Sequence, residues 1–298
     1  MEFYPNFPVS ADLRPDDWAA AMEAQGWDGV CASDHLWVGD NLYPHVFVAA
    51  TQMAMATQRV RITTSFCNNL FRSPVEFAQA SMALQRASNG RFEAGLGAGW
   101  LQDEIEAMGE AYPPARDRVR RYVEALTVVG QLLRTGQADF DGAFYQVHIT
   151  GGHEVGPRPE VPPPLIASAG GPRSIREVTP LVDRVEVKAN ARATRVGHLD
   201  LGIMATITED ELRQSVDRVR EVRPDVPIGT FLLVGVSPDP RVDGMKAGLG
   251  DGYLGRFLGE AGAVADALRE LERFGIDRVQ LTGLTASTFE QLAPLLTD

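Results

Sequence analysis

Ser73-Pro74-Val75-Glu76, Gly90, and Phe92-Glu93-Ala94-Gly95-Leu96-Gly97-Ala98-Gly99-Trp100 decide how this chain folds. The first four residues combine a capping box with proline at the first helical position, so a helix starts there. Phe77, Ala78, Met82 and Leu84 carry its apolar face toward Gly90, which stops it. A short apolar run follows over residues 92–96 and reads as a strand. It ends in three alternating glycines and a tryptophan. Helix, strand and glycine loop in direct succession make one unit of an alternating α/β chain.

The same unit recurs in both directions. Toward the N-terminus, residues 2–4 form a plausible first strand. Residues 11–26 read as a helix with Pro15 at its first position and Asp16 and Asp17 in its first turn, where negative charge suits the dipole. Residues 27–33 and 60–66 read as strands, with a helix over 47–57 between them. Toward the C-terminus, a long helix over 115–134 places Val119, Val123, Leu126 and Leu133 on one face. Strands are predicted at 165–169, 184–189, 228–236 and 277–282. Helices are predicted from Pro172 to a stop or kink at Pro180, over 208–223, over 261–274 and from Ser287. The last two capping boxes are Thr208 to Glu211 and Ser287 to Glu290. Two stretches break the rhythm. Asp141-Gly142 between short apolar runs signals a β-hairpin, and residues 238–259, rich in glycine and proline, read as a surface loop or mobile excursion.

Eight strands alternating with helices predict a parallel sheet. Over 298 residues that repeat favours a single-domain (β/α)₈ TIM barrel, spanning residues 1–298, with a small β-hairpin insertion. A doubly wound open sheet is the alternative. No dinucleotide fingerprint follows the first strand, which counts against it.

Apolar residues make up 44% and charged residues 23%, an ordinary globular balance. The formal net charge of −12 and the lack of a basic run argue against nucleic acid and membrane as partners. No stretch reads as a bilayer span, and Met1 to Pro5 does not resemble a signal peptide. Cys31 and Cys67 are far apart and form no CxxC pattern. Together these predict a cytoplasmic protein with two reduced thiols and no metal site.

Barrel enzymes carry their chemistry where strands end and loops begin. Ser33-Asp34-His35 lies at such an end, with Trp37 close behind. His35 can serve as a general base or donor, or as a structural loop residue. Asp34 can orient its ring or cap a turn. The run Thr63-Thr64-Ser65-Phe66-Cys67-Asn68-Asn69 can meet a ligand's carbonyls and amides, or satisfy its own backbone. Gly95 to Gly99 lets another body approach the backbone closely. Ala169-Gly170-Gly171-Pro172 runs into a helix N-terminus, a geometry that suits phosphate. Arg173 and Arg176 stand in that first turn.

These segments, in this order, resemble the luciferase-like monooxygenase superfamily. The matching core also holds Phe71-Arg72-Ser73-Pro74, residues 88–100, Arg116 to Arg121, residues 140–145 and Pro163-Pro164-Leu165-Ile166, so it covers nearly the whole chain. The resemblance implies a barrel that binds FMN or coenzyme F420, in the style of the F420-dependent branch. It places Asp34, His35, Ser65, Phe66, Gly97, Ala98, Gly99, Ala169, Gly170 and Gly171 against the cofactor. It implies a cis peptide between Ser65 and Phe66. Trp37, Cys67 and Trp100 would line the substrate pocket, with His35 and Asp34 as the catalytic pair. The resemblance also implies a homodimer formed through the helices starting at Phe47 and Pro74. Two departures stand out. Trp100 occupies the place of an acidic residue found in the branch's sugar-phosphate dehydrogenases, and the insertion after the seventh strand is short.

Three functions remain open at this point. The first is an F420-dependent oxidoreductase that moves hydride to or from a small organic substrate, with His35 handling the accompanying proton. The second is an FMN-dependent monooxygenase, distinguished by oxygen-dependent product formation. The third is a flavin-binding barrel without chemistry, which would bind cofactor and turn nothing over.

Overall fold

The computed structural model describes residues 1–8 and 13–297. Residues 11 and 12, where the first helix was expected to begin, lie outside them. Eight parallel strands make the barrel: β1 (Glu2–Pro5), β2 (Gly29–Ala32), β3 (Arg61–Thr64), β4 (Phe92–Gly97), β5 (Leu165–Ala169), β6 (Arg184–Lys188), β7 (Ile228–Val236) and β8 (Arg278–Gly283). Around the ring they run β1-β8-β7-β6-β5-β4-β3-β2. A bridge between Asn6 and Cys31 brings the two ends together, where the Phe7 N–H donates to the Cys31 carbonyl at 2.9 Å. The sheet therefore curls into a barrel, and the open-sheet alternative is excluded.

Parallel neighbours need a crossover, and each strand here is followed by one. The principal helices are Pro15–Ala24, Val46–Ala56, Pro74–Ala87, Ala115–Thr135, Pro172–Val178, Glu209–Val222, Ala261–Arg269 and Ser287–Leu296. The Pro74 helix shows how local sequence builds the unit. Ser73 Oγ accepts the Glu76 N–H at 3.1 Å, and Phe77, Ala78, Met82 and Leu84 are buried. Buried Gln85 then ties helix to strand: its Oε1 accepts the Phe92 N–H at 2.9 Å and its Nε2 donates to the Val161 carbonyl at 3.2 Å. Asn89 and Gly90, both at positive φ, turn the chain from one into the other.

Inside the lower barrel lies a charged cluster that the sequence analysis did not foresee. Arg278 of β8 is fully buried and donates to Glu186 of β6 at 2.7 and 2.9 Å and to Glu93 of β4. Arg61 of β3 reaches Glu93 at 2.9 Å. The Arg278 guanidinium carbon stands 4.6 Å from the Tyr4 ring centroid. A Cβ on Gly229 of β7 would collide with the Glu186 carboxylate, so glycine makes the room for this pair. Burial pushes the Glu186 carboxyl above its usual range. Burial works the same way on Glu93, but Arg278 and Arg61 outweigh it and hold that carboxyl below.

The hairpin forms as expected, pairing Ala138–Asp141 with Gln146–Ile149. Two expectations fail. Residues 238–259 are no loop: Asp239 caps a helix over Pro240–Leu249, with Pro240 at its first position, followed by a 3₁₀ turn over Tyr253–Phe257. Glycine and proline read there as breakers, yet this proline stands where a helix tolerates one. Ser287 also does not cap its helix. It lies inside the first turn, and Thr285 Oγ1 bonds Thr288 Oγ1 at 2.9 Å instead.

Candidate active site

Inward and outward side chains alternate along each strand. Glu186 points into the barrel, so Lys188 two residues on faces inward at the C-terminal mouth. By register Phe231 of β7 lies beside Lys188, Leu233 of β7 and Thr282 of β8 pair one inward position higher, and Ser168 of β5 stands beside Glu186. All are half-buried, unlike the fully buried residues beneath them.

His35 stands at this mouth with 15% of its side chain exposed. Its Nδ1 lies 2.8 Å from Oε2 of Glu104, a carboxylate with no exposed surface. Oε1 of Glu104 accepts the N–H groups of Leu36 and Trp37, the latter at 3.1 Å. A carboxylate so placed only accepts, which assigns the His35 proton to Nδ1. Nε2, the ring nitrogen without a partner among the described residues, is left as a proton acceptor. The imidazole packs edge-on against Tyr43 and Trp100, with centroids 5.3 and 5.8 Å away.

Asp34 does not orient that ring. Its oxygens are bound by Arg72, in one contact at 3.0 Å, and by the Asn68 N–H at 2.7 Å. It fixes the chain beyond β3, where the Ser65–Phe66 peptide is cis as expected. Glu104, missed from sequence, takes the orienting role. It lies among Asp103, Glu106 and Glu110, and no periodicity marks which of the four is buried.

The glycines of β4 serve the protein itself. A Cβ on Gly95 would collide with the Thr64 carbonyl, one on Gly97 would come within 3.1 Å of Phe66 Cβ, and one on Gly99 would collide with Asn68. They admit the β3 bulge, which re-pairs with β4 through Cys67 and Asn68. Cys67 is fully buried in the apolar core, so it packs and does not line the pocket. Ala169 is likewise 2% exposed and registers with outward-facing Val187; Ser168 and Gly170 are the mouth-facing residues of that segment. Ala98, Gly99, Trp100, Phe66 and Trp37 are half-buried at the rim, as an accessible site requires.

Trp100 is held from both sides. Tyr112 donates to its carbonyl at 2.8 Å, and the Gln102 N–H donates to Gly197 at 2.8 Å, joining the loop after β4 to the loop after β6. Arg118 braces the joint, 4.3 Å over the Tyr112 ring and bonded to the carbonyls of Pro113 and Arg195 at 3.0 and 3.3 Å. The Lys188 ammonium sits 5.2 Å over the Trp100 ring. Burial, helped by repulsion from Arg118, lowers its pKa from 10.5 to about 8. The sequence analysis passed over Lys188 despite a visible signal. Only two of the 28 basic side chains are lysines, and this one ends a barrel strand.

Comparison with known proteins agrees with this architecture. The curated relatives include F420-dependent glucose-6-phosphate dehydrogenases from Kineococcus radiotolerans, 34% identical over 160 residues, and Amycolatopsis mediterranei, 31% identical over 160 residues. Those matches span 52% of this chain and 46% and 47% of the relatives, so the chain matches about half the length of each. Among solved structures, an F420-dependent secondary alcohol dehydrogenase in complex with an F420-acetone adduct superposes with a TM-score of 0.76 over 100% of both chains at 17% identity. A monooxygenase from Streptomyces bottropensis gives 0.75 over 99% of this chain and 96% of its own, also at 17% identity. These two likenesses establish a shared fold. The family model for luciferase-like monooxygenases matches residues 15–243, and the chain belongs to that family.

Proposed function

We propose that this chain is a coenzyme F420-dependent oxidoreductase that exchanges hydride with a small organic substrate, working as one domain. The observation that carries this reading is the His35–Glu104 pair, an imidazole whose Nδ1 is held by a buried carboxylate and whose Nε2 has no partner among the described residues, set at a half-buried barrel mouth. The names of the curated relatives support the choice of cofactor. Their sugar-phosphate substrate is not carried over, because Trp100 stands where that group holds an acid.

The mouth suits a deazaflavin ring. Ser65 Oγ and Asn6 Oδ1 are buried without a hydrogen-bond partner among the described residues, and a ring edge of carbonyls and N–H groups would satisfy them. Asn6 is already set beside the mouth by Ser33 at 2.8 Å and Thr282 at 3.1 Å. At Gly171 an added Cβ would meet nothing nearer than Ser174 Oγ at 3.7 Å, so the backbone there is open to a ligand. The bound cofactor supplies the hydride acceptor or donor at its C5. Phe66, Trp37 and Trp100 exclude water, and Nε2 of His35 takes or returns the substrate's proton.

The protein works in this reading as a homodimer. The helix Val46–Ala56 carries no charged residue, and Val48 and Met55 are 57% and 66% exposed on its outer face. Light scattering at micromolar concentration reads its mass. The cofactor is tested by fluorescence titration with F420 and FMN side by side. Micromolar F420 binding with weak FMN binding is expected. A preference for FMN with oxygen-dependent turnover moves the protein to the monooxygenases, and F420 binding without turnover of any substrate makes it a binding protein.

A further inference from the structure

We infer that Lys188 is a further catalytic residue: its ammonium holds the oxygen of an alcohol or carbonyl substrate, at the mouth where it and the proton-accepting His35 both pack on Trp100. This inference rests on the hydride-transfer reading above and adds the substrate class and the residue that recognises it.

Four observations carry it. Lys188 faces into the mouth by register with Phe231. No carboxylate of the described residues pairs with its ammonium, whereas the inward-facing Glu186 two residues earlier is bound by Arg278. The ring under its ammonium, Trp100, also packs on His35, so two proton-carrying groups share a single indole. Finally, the chain meets nearly every need for positive charge with arginine and keeps lysine at only two positions. Arginine stays charged at any working pH; lysine offers a compact ammonium whose proton affinity burial can tune.

The charged groups around Lys188 are few. Arg118 repels it from the long helix after β4, and Glu104 is taken up by His35 and two backbone N–H groups. An oxygen that gains negative charge during the reaction would supply the missing partner. In alcohol oxidation the substrate's C–H bond breaks, with its electron pair passing as hydride to the cofactor. The O–H proton passes to His35 Nε2, and the C–O bond becomes a carbonyl. An N–H of Lys188 donates to that oxygen throughout, most strongly as charge builds on it.

The experiment compares the wild-type protein with Lys188→Met and Lys188→Arg. Each is titrated with F420, then assayed at pH 6 to 10 on small secondary alcohols from 2-propanol to cyclohexanol. Lysine labelled with ¹³C at Cε gives two resonances, Lys188 and Lys246, whose titration is followed directly. The expected Lys188→Met protein binds F420 within about threefold of wild type and loses roughly 100-fold or more in kcat/KM. Wild-type activity should fall as pH rises through the Lys188 midpoint read by NMR, because the ammonium is the active form. Lys188→Arg should retain part of the activity and lack that alkaline fall. Unchanged kcat/KM in Lys188→Met, or the same alkaline fall in Lys188→Arg, overturns the inference. So does F420 binding with no alcohol oxidised, which leaves the cofactor reading standing. Failure of the wild type to bind F420 overturns the cofactor reading itself, before any variant is compared.

Discussion

The barrel holds buried charge at two levels, and the two are organised differently. In the lower interior, Arg278 is enclosed by Glu93 and Glu186, and every charge has an opposite charge in contact. At the mouth, about one strand-repeat higher, Lys188 has no counter-charge and His35 keeps one nitrogen free among the described residues. Neutralised charge in a dry interior stabilises one geometry and reacts with nothing. An incompletely matched set costs stability until a ligand completes it. The lower cluster therefore reads as architecture and the upper as chemistry, although both are built from the same residue types on the same strands.

The largest effect should come from removing the central cation of the lower cluster. Arg278→Met leaves two carboxylates facing each other in the barrel and should cost about 3–5 kcal/mol in urea unfolding. Adding Glu186→Gln should recover part of that loss, since one buried charge is then gone. If Arg278→Met unfolds no more easily than wild type, the lower cluster is not structural in the sense argued.

His35→Ala and Glu104→Gln test the mouth in the opposite direction. His35→Ala should lower kcat by roughly 10²–10⁴-fold while the F420 dissociation constant and the unfolding midpoint barely move. Glu104→Gln keeps an acceptor for the Trp37 N–H but weakens the hold on the ring, so a smaller kcat loss is expected. Equal kcat in His35→Ala would remove the assigned proton role.

Lys188→Met should do what no substitution in the lower cluster does and raise stability. The folded-state pKa of Lys188 lies near 8, below its ordinary 10.5. Below pH 8 the lysine is charged in both folded and unfolded chains, and the full burial cost of about 1–3 kcal/mol is present. Between 8 and 10.5 the unfolded chain binds more protons, so wild-type stability rises with pH and the gain from methionine shrinks. Thermal melts of both proteins at pH 7 and pH 10 read this. A gain that stays constant with pH would trace the effect to packing alone.

The same contrast explains what could be read from sequence. Local rules delivered the barrel, because capping boxes at Ser73 and Thr208 and Pro172 at a first helical position act within a few residues. They failed where a residue's meaning depends on distant neighbours. Ser287 has the same capping pattern, but Thr285 and Thr288 bond to each other there. Glycines 95, 97 and 99 looked like ligand contacts, and their partner proved to be the chain's own β3 bulge. His35 was legible because it follows a strand; Glu104, 69 residues away, was not, because its burial is decided by how the loop after β4 folds over the mouth. The Arg278–Glu93 contact joins residues 185 positions apart, beyond any local pattern.

Arg61 gives the finest test of whether burial, and not mere pairing, separates the two levels. It contacts Glu93 at 2.9 Å, much as Arg278 contacts Glu186, yet its side chain is 42% exposed. Water and salt screen such a charge, so the pair should be worth only about 0.2–1 kcal/mol, falling as ionic strength rises. After Arg61→Gln, Glu93 keeps Arg278 and is not left alone in the barrel. The variant should thus unfold within about 1 kcal/mol of wild type in urea. A loss of the size expected for Arg278→Met would mean that the rim cation carries the lower cluster, and the division between architecture below and chemistry above would have to be redrawn around Glu93.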